Sequence, residues 1–152
     1  MKKNKLKIIQ EEAEELLKLL AFDATVATSE DEENKTFKVQ IEAKEPAVLI
    51  GYHGETISAV QLILGIMVSR KLDDWVRIIV NVGDYREKRE EALRRMALSA
   101  AQKAHFSNEV VSLTSLSAAE RRIIHLVLKE HPEVETYSEG EGKERRLVIK
   151  PR

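Results

Sequence analysis

The first forty residues alternate between hydrophobic and polar positions with two different periods. Leu6, Ile9, Ala13 and Leu16 recur at helical spacing with charged residues between them, which predicts an amphipathic helix over residues 4–20. Residues 22–28 and 36–43 alternate with a period of two, which is typical of strands, and the polar run 29–35 joins them as a hairpin loop. The chain is therefore expected to begin helix, strand, strand.

The next segment contains the most apolar helix of the chain. Pro46 ends the second strand and precedes a short turn of helix, after which we predict a helix over 55–70 and a third strand over 75–82. The apolar residues of the long helix that are expected to face the sheet are Ile57, Val60, Ile63, Leu64 and Met67. Three others remain: Leu62, Ile66 and Val68. Packing against the first helix or against the second half of the chain is the favoured explanation, and a partner surface is the alternative.

The second half begins where Gly83 and Asp84 interrupt the pattern. A long helix is predicted over 85–104, and it belongs to a second core. Ser117 and Glu120 fit a capping box at the start of another helix. Residues 134–138 and 145–150 are predicted to form a hairpin around the glycine-rich segment 139–142. The prediction is an α+β chain of two small domains, residues 1–83 and 84–152.

Composition limits the possible functions. The 152 residues suffice for two small cores, and 25 Lys and Arg stand against 26 Asp and Glu. This balance argues against binding through bulk charge, so any nucleic-acid site must be a local patch. The absence of cysteine excludes disulfides and thiolate nucleophiles, and it fits a cytoplasmic location.

Candidate chemistry for catalysis is lacking in the sequence. The four histidines, at positions 53, 105, 125 and 131, show no metal-ligand spacing with carboxylates, and no acid pair accompanies a nucleophile motif. We therefore predict no enzyme activity, no metal and no cofactor. The longest apolar run, 62–68, is much shorter than the roughly 20 residues that cross a bilayer, so no membrane insertion is expected.

Two short motifs carry the functional signal. Gly51-Tyr52-His53-Gly54 directly precedes an apolar helix, and such a turn lets backbone N–H groups and a helix N-terminus approach a phosphate, although two glycines also make ordinary tight turns. Arg121 and His125 are four residues apart and hence on one helix face. A solvated arginine with a histidine at the core edge is the alternative there.

Together these motifs resemble a known family. The order of elements around the glycine turn matches a type II KH domain, and the Arg-x-x-x-His helix, with 136–140 and 145–151 after it, resembles an R-3-H domain. In this order the pair resembles the bacterial Jag (SpoIIIJ-associated) family, also called KhpB or EloR, over residues 16–151. The resemblance implies a type II KH domain followed by a small R-3-H α/β domain.

The resemblance also implies a function and its residues. It implies binding of single-stranded RNA, or single-stranded DNA, through the following residues: Gly51, Tyr52, His53, Gly54, Arg121, His125, Arg145, Arg146 and Lys150. Arg122 is expected on a different helix face and is the weaker candidate. Neither Tyr52 nor His53 is the lysine or arginine that the family usually has in the turn.

The implied role is a post-transcriptional regulator linked to cell elongation or envelope control. The implied partner is a small KH-domain protein, and a second copy of the chain is the other possibility. A protein-interaction scaffold with a degenerate KH domain is the alternative function. Tyr85-Arg86-Glu87-Lys88-Arg89 also resembles the family, and a salt-bridged helix surface remains the alternative interpretation of that segment.

Overall fold

The computed structural model describes residues 2–152, with side chains from residue 4 onward. The chain divides into two compact units, Met1–Arg86 and Glu87–Arg152, which are described separately below. The first residue of the domain expected over 1–83 lies outside the described residues. The expected boundary at 83/84 stays a prediction.

The first unit has the predicted order of elements. These are α1 (Lys2–Leu19), β1 (Ala24–Asp31), β2 (Thr36–Ala43), α2 (Pro46–Ile50), a 3-10 turn (Tyr52–Gly54), α3 (Glu55–Leu72) and β3 (Ile78–Val82). β1 pairs antiparallel with β2, and β2 pairs parallel with β3, so β1 and β3 are the edge strands. β1 runs further than predicted because Asn34 closes a tight turn on the Asp31 carboxylate, which leaves Asp31 to pair with Thr36.

Helices α1 and α3 form the core of this unit with one face of the sheet. Alternate residues of β2 and β3 are buried, as the period of two requires: Phe37, Val39, Ile41, Ile78, Val80 and Val82. The buried carboxylate of Glu12 on α1 pairs with Lys71 on α3, and this hydrogen bond raises the pKa of Lys71. The pair joins the two helices where a charge would otherwise be buried alone.

Two side chains of α3 differ from the prediction. Ile63, expected against the sheet, is 44% exposed, whereas Val68, expected to be left over, is fully buried. The buried residues Ile57, Val60, Leu64 and Val68 follow the spacing of a single helix face, and Ile63 lies to one side of it. Leu62 and Ile66 are exposed, as a partner surface would require.

One segment of the described residues, Pro46–Leu72, is long and apolar enough to cross a bilayer by length and composition. A core helix of a water-soluble domain passes the same test. This segment consists of α2, the 3-10 turn and α3, and the buried side chains of α3 belong to the core of the first unit. It is therefore weak evidence for a membrane span, and the prediction of no membrane insertion is not contradicted.

The second unit is a three-stranded antiparallel sheet with two helices. The elements are α4 (Tyr85–Ser107), which begins in the first unit, β4 (Val111–Leu113), α5 (Ala118–Leu128), β5 (Val134–Glu139), a 3-10 turn (Gly142–Glu144) and β6 (Arg146–Pro151). The strand order is β4-β6-β5. The sequence predicts the hairpin of β5 and β6 but not β4, because three residues are too short to show an alternation.

The two faces of this sheet carry different residues. Thr136 pairs with Ile149 and Ser138 with Leu147, so these positions share the face that holds the core of the second unit. The residues between them, Glu135, Tyr137, Glu139, Arg146, Val148 and Lys150, pair with one another on the opposite face. This division decides which basic residues of β6 can lie beside α5.

Candidate nucleic-acid interface

The N-terminus of α5 is held by the predicted capping box. Ser117 Oγ accepts a hydrogen bond from the Glu120 N–H at 3.2 Å, and Glu120 Oε2 accepts one from the Ser117 N–H at 2.8 Å. The other oxygen of Glu120 pairs with Arg89 Nε of α4 at 2.7 Å. The capping box and this partly buried ion pair fix the start of the helix that carries Arg121 and His125.

Arg121 and His125 both line a surface depression of about 530 Å³ in the second unit. Its lining residues are Ala118, Arg121, Arg122, His125, Thr136, Tyr137, Ser138 and Arg145. Arg121 Nη1 donates to the Leu116 carbonyl oxygen at 2.6 Å, and His125 Nδ1 lies 2.6 Å from Thr136 Oγ1. These bonds hold the two side chains in place before any ligand arrives.

Arg122 also lines the depression, although it lies on a different helix face from Arg121. Arg122 is one residue after Arg121, and consecutive helix positions are about 100° apart. Its side chain is long enough to reach the depression from that position, and it is exposed. The site therefore contains the guanidinium groups of Arg121, Arg122 and Arg145 as well as the imidazole of His125.

The basic residues of β6 are divided between the two sheet faces. Arg145, just before β6, lines the depression and donates a long hydrogen bond of 3.4 Å to the Gly140 carbonyl oxygen. Arg146 pairs with Glu139 at 2.6 Å and Lys150 with Glu135 at 3.6 Å, both on the face opposite Thr136. Of the three, only Arg145 joins Arg121 and His125.

Sequence reasoning did not assign a role to Tyr137, Thr136 or Ser138. Tyr137 borders the depression but pairs with Val148, so its side chain belongs to the sheet face opposite Thr136 and is not assigned to the site. The segment 136–140 contributed to the family resemblance, but its place beside the depression depends on tertiary contacts that the sequence does not show.

The glycine turn in the first unit brings its four predicted residues together. Gly51 has φ 73° and ψ −177°, His53 has φ 51°, and Gly54 is the left-handed N-cap of α3 with φ 81°. Tyr52 is 71% exposed, and its ring centroid lies 4.1 Å from that of His53. The turn therefore presents the backbone of residues 51–53 and two aromatic rings at the start of an 18-residue helix, whereas Gly54 is buried.

The electrostatics of this turn favour an anion only weakly. The N-terminus of α3 carries a positive partial charge, but Glu55 occupies its first turn. No lysine or arginine lies among residues 51–54.

Within residues 4–152, no three His, Asp or Glu side chains lie close enough together to hold a metal ion.

Comparison with known proteins identifies both units. Residues 10–80 match the KH domain of KhpA/KhpB, and residues 91–151 match the R-3-H domain. These two matches cover the glycine turn and the depression respectively.

Several curated proteins align along most of the chain. The protein named RNA-binding protein KhpB from Clostridium symbiosum is 32% identical over 130 residues, which is 86% of this chain and 58% of that protein. The protein of the same name from Bacillus subtilis is 32% identical over 120 residues, covering 78% and 58%. That from Streptococcus pneumoniae serotype 2 is 30% identical over 127 residues, covering 84% and 39%.

The chain thus spans little more than half the length of the first two of these proteins. The order of the matched domains is KH and then R-3-H, as in the resemblance seen in the sequence. This chain belongs to the Jag/KhpB family, with a KH domain followed by an R-3-H domain.

Proposed function

We propose that this chain binds single-stranded RNA, mainly through the depression on the R-3-H unit. The observation that carries the proposal is the convergence of Arg121, Arg122, Arg145 and His125 on one depression. Guanidinium groups bind phosphate oxygens in a planar fork, and the exposed imidazole of His125 stacks on or hydrogen-bonds an unpaired base. The relatives named RNA-binding protein KhpB support the same ligand.

The bonds inside the site assign a role to each side chain. Arg121, held by the Leu116 carbonyl, presents its remaining N–H groups to a phosphate in a fixed orientation. His125 is oriented by Thr136, which leaves Nε2 for a ligand. Arg122 and Arg145 are exposed and supply charge around the site.

The glycine turn supplies a second, weaker contact. Its backbone and the N-terminus of α3 meet a phosphate, while Tyr52 stacks on a base or sugar and bases lie along the adjoining helix and strand. A strand long enough to reach both sites gains affinity from effective concentration. A role for the chain as a cytoplasmic post-transcriptional regulator of cell elongation or envelope control rests on the family resemblance alone, and single-stranded DNA is the alternative ligand.

Titration separates this proposal from nonspecific attraction. We expect tighter binding to a fluorescein-labelled single-stranded RNA than to the same sequence as a duplex, because both sites suit unpaired bases. The logarithm of the affinity should fall with the logarithm of salt concentration with a slope of about −2 for three phosphate contacts at about −0.7 each. Equal anisotropy curves for the single strand and the duplex would contradict the proposal.

A lysine in the glycine turn should strengthen RNA binding. Tyr52→Lys places a fixed charge at an exposed position where the family usually has one, and we expect a gain of about threefold at low salt that fades as salt rises. Thr25→Lys, on the exposed face of β1, is the control for added net charge. Equal gains in both variants would show that the turn does not meet RNA.

Exposed apolar residues on α3 favour a second function, that of a protein-interaction scaffold. Leu62 and Ile66 are 62% and 46% exposed and lie four residues apart on one helix face, with Ile63 beside them at 44%. The occupant is a small KH-domain protein or a second copy of the chain. The matched KH-domain family is named for two proteins, KhpA and KhpB, which supports a KH-domain protein as the partner.

Sedimentation tests the self-association form of this proposal. We expect the parent chain to associate as its concentration rises, and Leu62→Glu with Ile66→Glu to remain monomeric because two charges cannot be buried in an apolar interface. Leu98→Glu, at an exposed apolar position of α4, is the control. A parent chain that stays monomeric would exclude the second copy. The small KH-domain protein would then be tested by sedimentation of a mixture of the two proteins.

A further inference from the structure

The outer edge of the first sheet is not open for pairing. β3 is an edge strand, and such a strand displays backbone groups that can bind a further strand or a ligand. At Val80 both groups already have partners: its N–H donates to Gln61 Oε1 at 2.9 Å, and its carbonyl oxygen accepts from Arg86 Nε at 2.6 Å. The middle of the edge is therefore occupied by side chains of the same unit.

A third hydrogen bond joins these two side chains to each other. Arg86 Nη2 donates to Gln61 Oε1 at 2.8 Å, so the guanidinium, the carboxamide and the Val80 peptide groups form a closed set, here called the Arg86 latch. Asn81 Oδ1 also accepts from the Arg86 backbone N–H at 3.2 Å, which fixes the residue that carries the guanidinium. Hydrogen bonds from a charged donor are stronger than those between neutral groups, so the two guanidinium bonds hold Arg86 firmly against the β3 edge.

The latch lies on the path that leads from the glycine turn. Gln61 follows Gly54 by seven residues, which places it two turns along the same face of α3, about 10 Å away. Tyr85, next to Arg86, contacts the start of this path at the glycine turn. Its hydroxyl lies against Gly54, since a Cβ atom built on Gly54 would be only 2.6 Å from it. A strand that starts at the turn and follows α3 and β3 must therefore meet Arg86.

We propose that the Arg86 latch closes the β3 edge of the KH unit, and that a base of bound RNA displaces Arg86 from Val80. This inference rests on the proposed RNA-binding function. It assigns a role to Arg86. The sequence allowed two interpretations of the Tyr85 to Arg89 segment, a feature of the family or a salt-bridged helix surface. RNA binding at the turn then includes the cost of breaking charge-assisted hydrogen bonds, in addition to its weak electrostatics.

A charge-conserving substitution tests the latch. Arg86→Lys keeps the positive charge but cannot bond the Val80 carbonyl and Gln61 with one planar fork. We expect it to bind a fluorescein-labelled single-stranded RNA of mixed sequence about threefold to tenfold more tightly than the parent. The gain should persist when Arg122 and Arg145 are alanine. Arg70→Lys, an exposed arginine on α3, should change nothing.

The unaltered protein provides a second measurement, which does not depend on the variant folding well. The Arg86 Nε–H signal in NMR spectra should shift and exchange faster with water at saturating RNA. Unchanged or weaker binding by a folded Arg86→Lys protein, or a protected Nε–H at saturation, would overturn the latch. No RNA binding by the parent chain would instead overturn the proposed function along with it, so the two failures are distinguishable.

Discussion

Replacing Arg122 and Arg145 together by alanine is expected to weaken binding of single-stranded RNA by at least about tenfold at low salt. Both side chains are exposed and line the depression, and they contribute charge to phosphate binding. The salt slope should become shallower by about 1.4, which is 0.7 for each lost contact. Anisotropy titrations at several salt concentrations measure both quantities.

The chain offers two matched controls for this pair. Arg94→Ala with Arg95→Ala removes the same charge from exposed positions of α4, where the arginines pair with Glu90 and Glu91. Arg146→Ala removes a charge from the sheet face opposite Thr136. A loss in the controls as large as in the pair would mean that RNA responds to net charge rather than to the depression.

Arg121 is a less suitable first target, although the sequence motif points to it. Its Nη1 hydrogen bond to the Leu116 carbonyl would be lost in an alanine variant, which leaves a half-buried acceptor unpaired at a cost of about 1 kcal/mol or more. A weaker affinity would then combine a lost contact with a displaced helix start. Arg122, which the motif does not include, has no such bond to the protein among those described for residues 4–152.

The local devices of the fold could be predicted because they depend on few neighbouring residues. The capping box of Ser117 and Glu120 and the period of β2 need only local spacing, and both are found in the structure. Strand β4 could not be predicted, since its three residues become a strand only by pairing with β6. Its existence depends on a partner more than thirty residues away.

In the site, too, some features follow from neighbouring residues and others depend on residues distant in the sequence. Alternation along β6 already separates Arg145 from Arg146 and Lys150, but it does not say which face meets α5. That choice is fixed by the pairing register with β5, together with the burial of Leu147 and Ile149. The latch is also invisible in the sequence, because Gln61, Val80 and Arg86 come from a helix, a strand and the start of another helix.

Gly51→Ala is expected to destabilise the first unit strongly. At φ 73° and ψ −177° the backbone of Gly51 is in a region that suits glycine almost alone, and an added Cβ would lie 2.1 Å from Thr56 Oγ1 and 2.9 Å from the Thr56 backbone nitrogen. Strain and overlap together should cost about 2–4 kcal/mol. In a unit of this size such a loss lowers the thermal midpoint by about 10–20 °C.

Gly65→Ala in the same unit is the matched control. Gly65 lies inside α3, and a Cβ built on it meets no atom within 4 Å. Because alanine is favoured over glycine by about 0.5–1 kcal/mol in a helix interior, this variant should melt at the same temperature as the parent or a few degrees higher. Backbone amide signals of Val39 and Val80, followed by NMR during heating, report the first unit separately from the second.

The contrast also decides how the glycine turn can be tested for RNA contact. If Gly51→Ala unfolds the first unit at a lower temperature, then loss of RNA binding by any larger residue at this position reports the turn's shape, not a blocked phosphate. Tyr52→Lys, which leaves both glycines in place, is then the variant that tests contact. A Gly51→Ala protein that melts with the parent would contradict the strained turn, because the chain could reach the start of α3 through an ordinary backbone conformation.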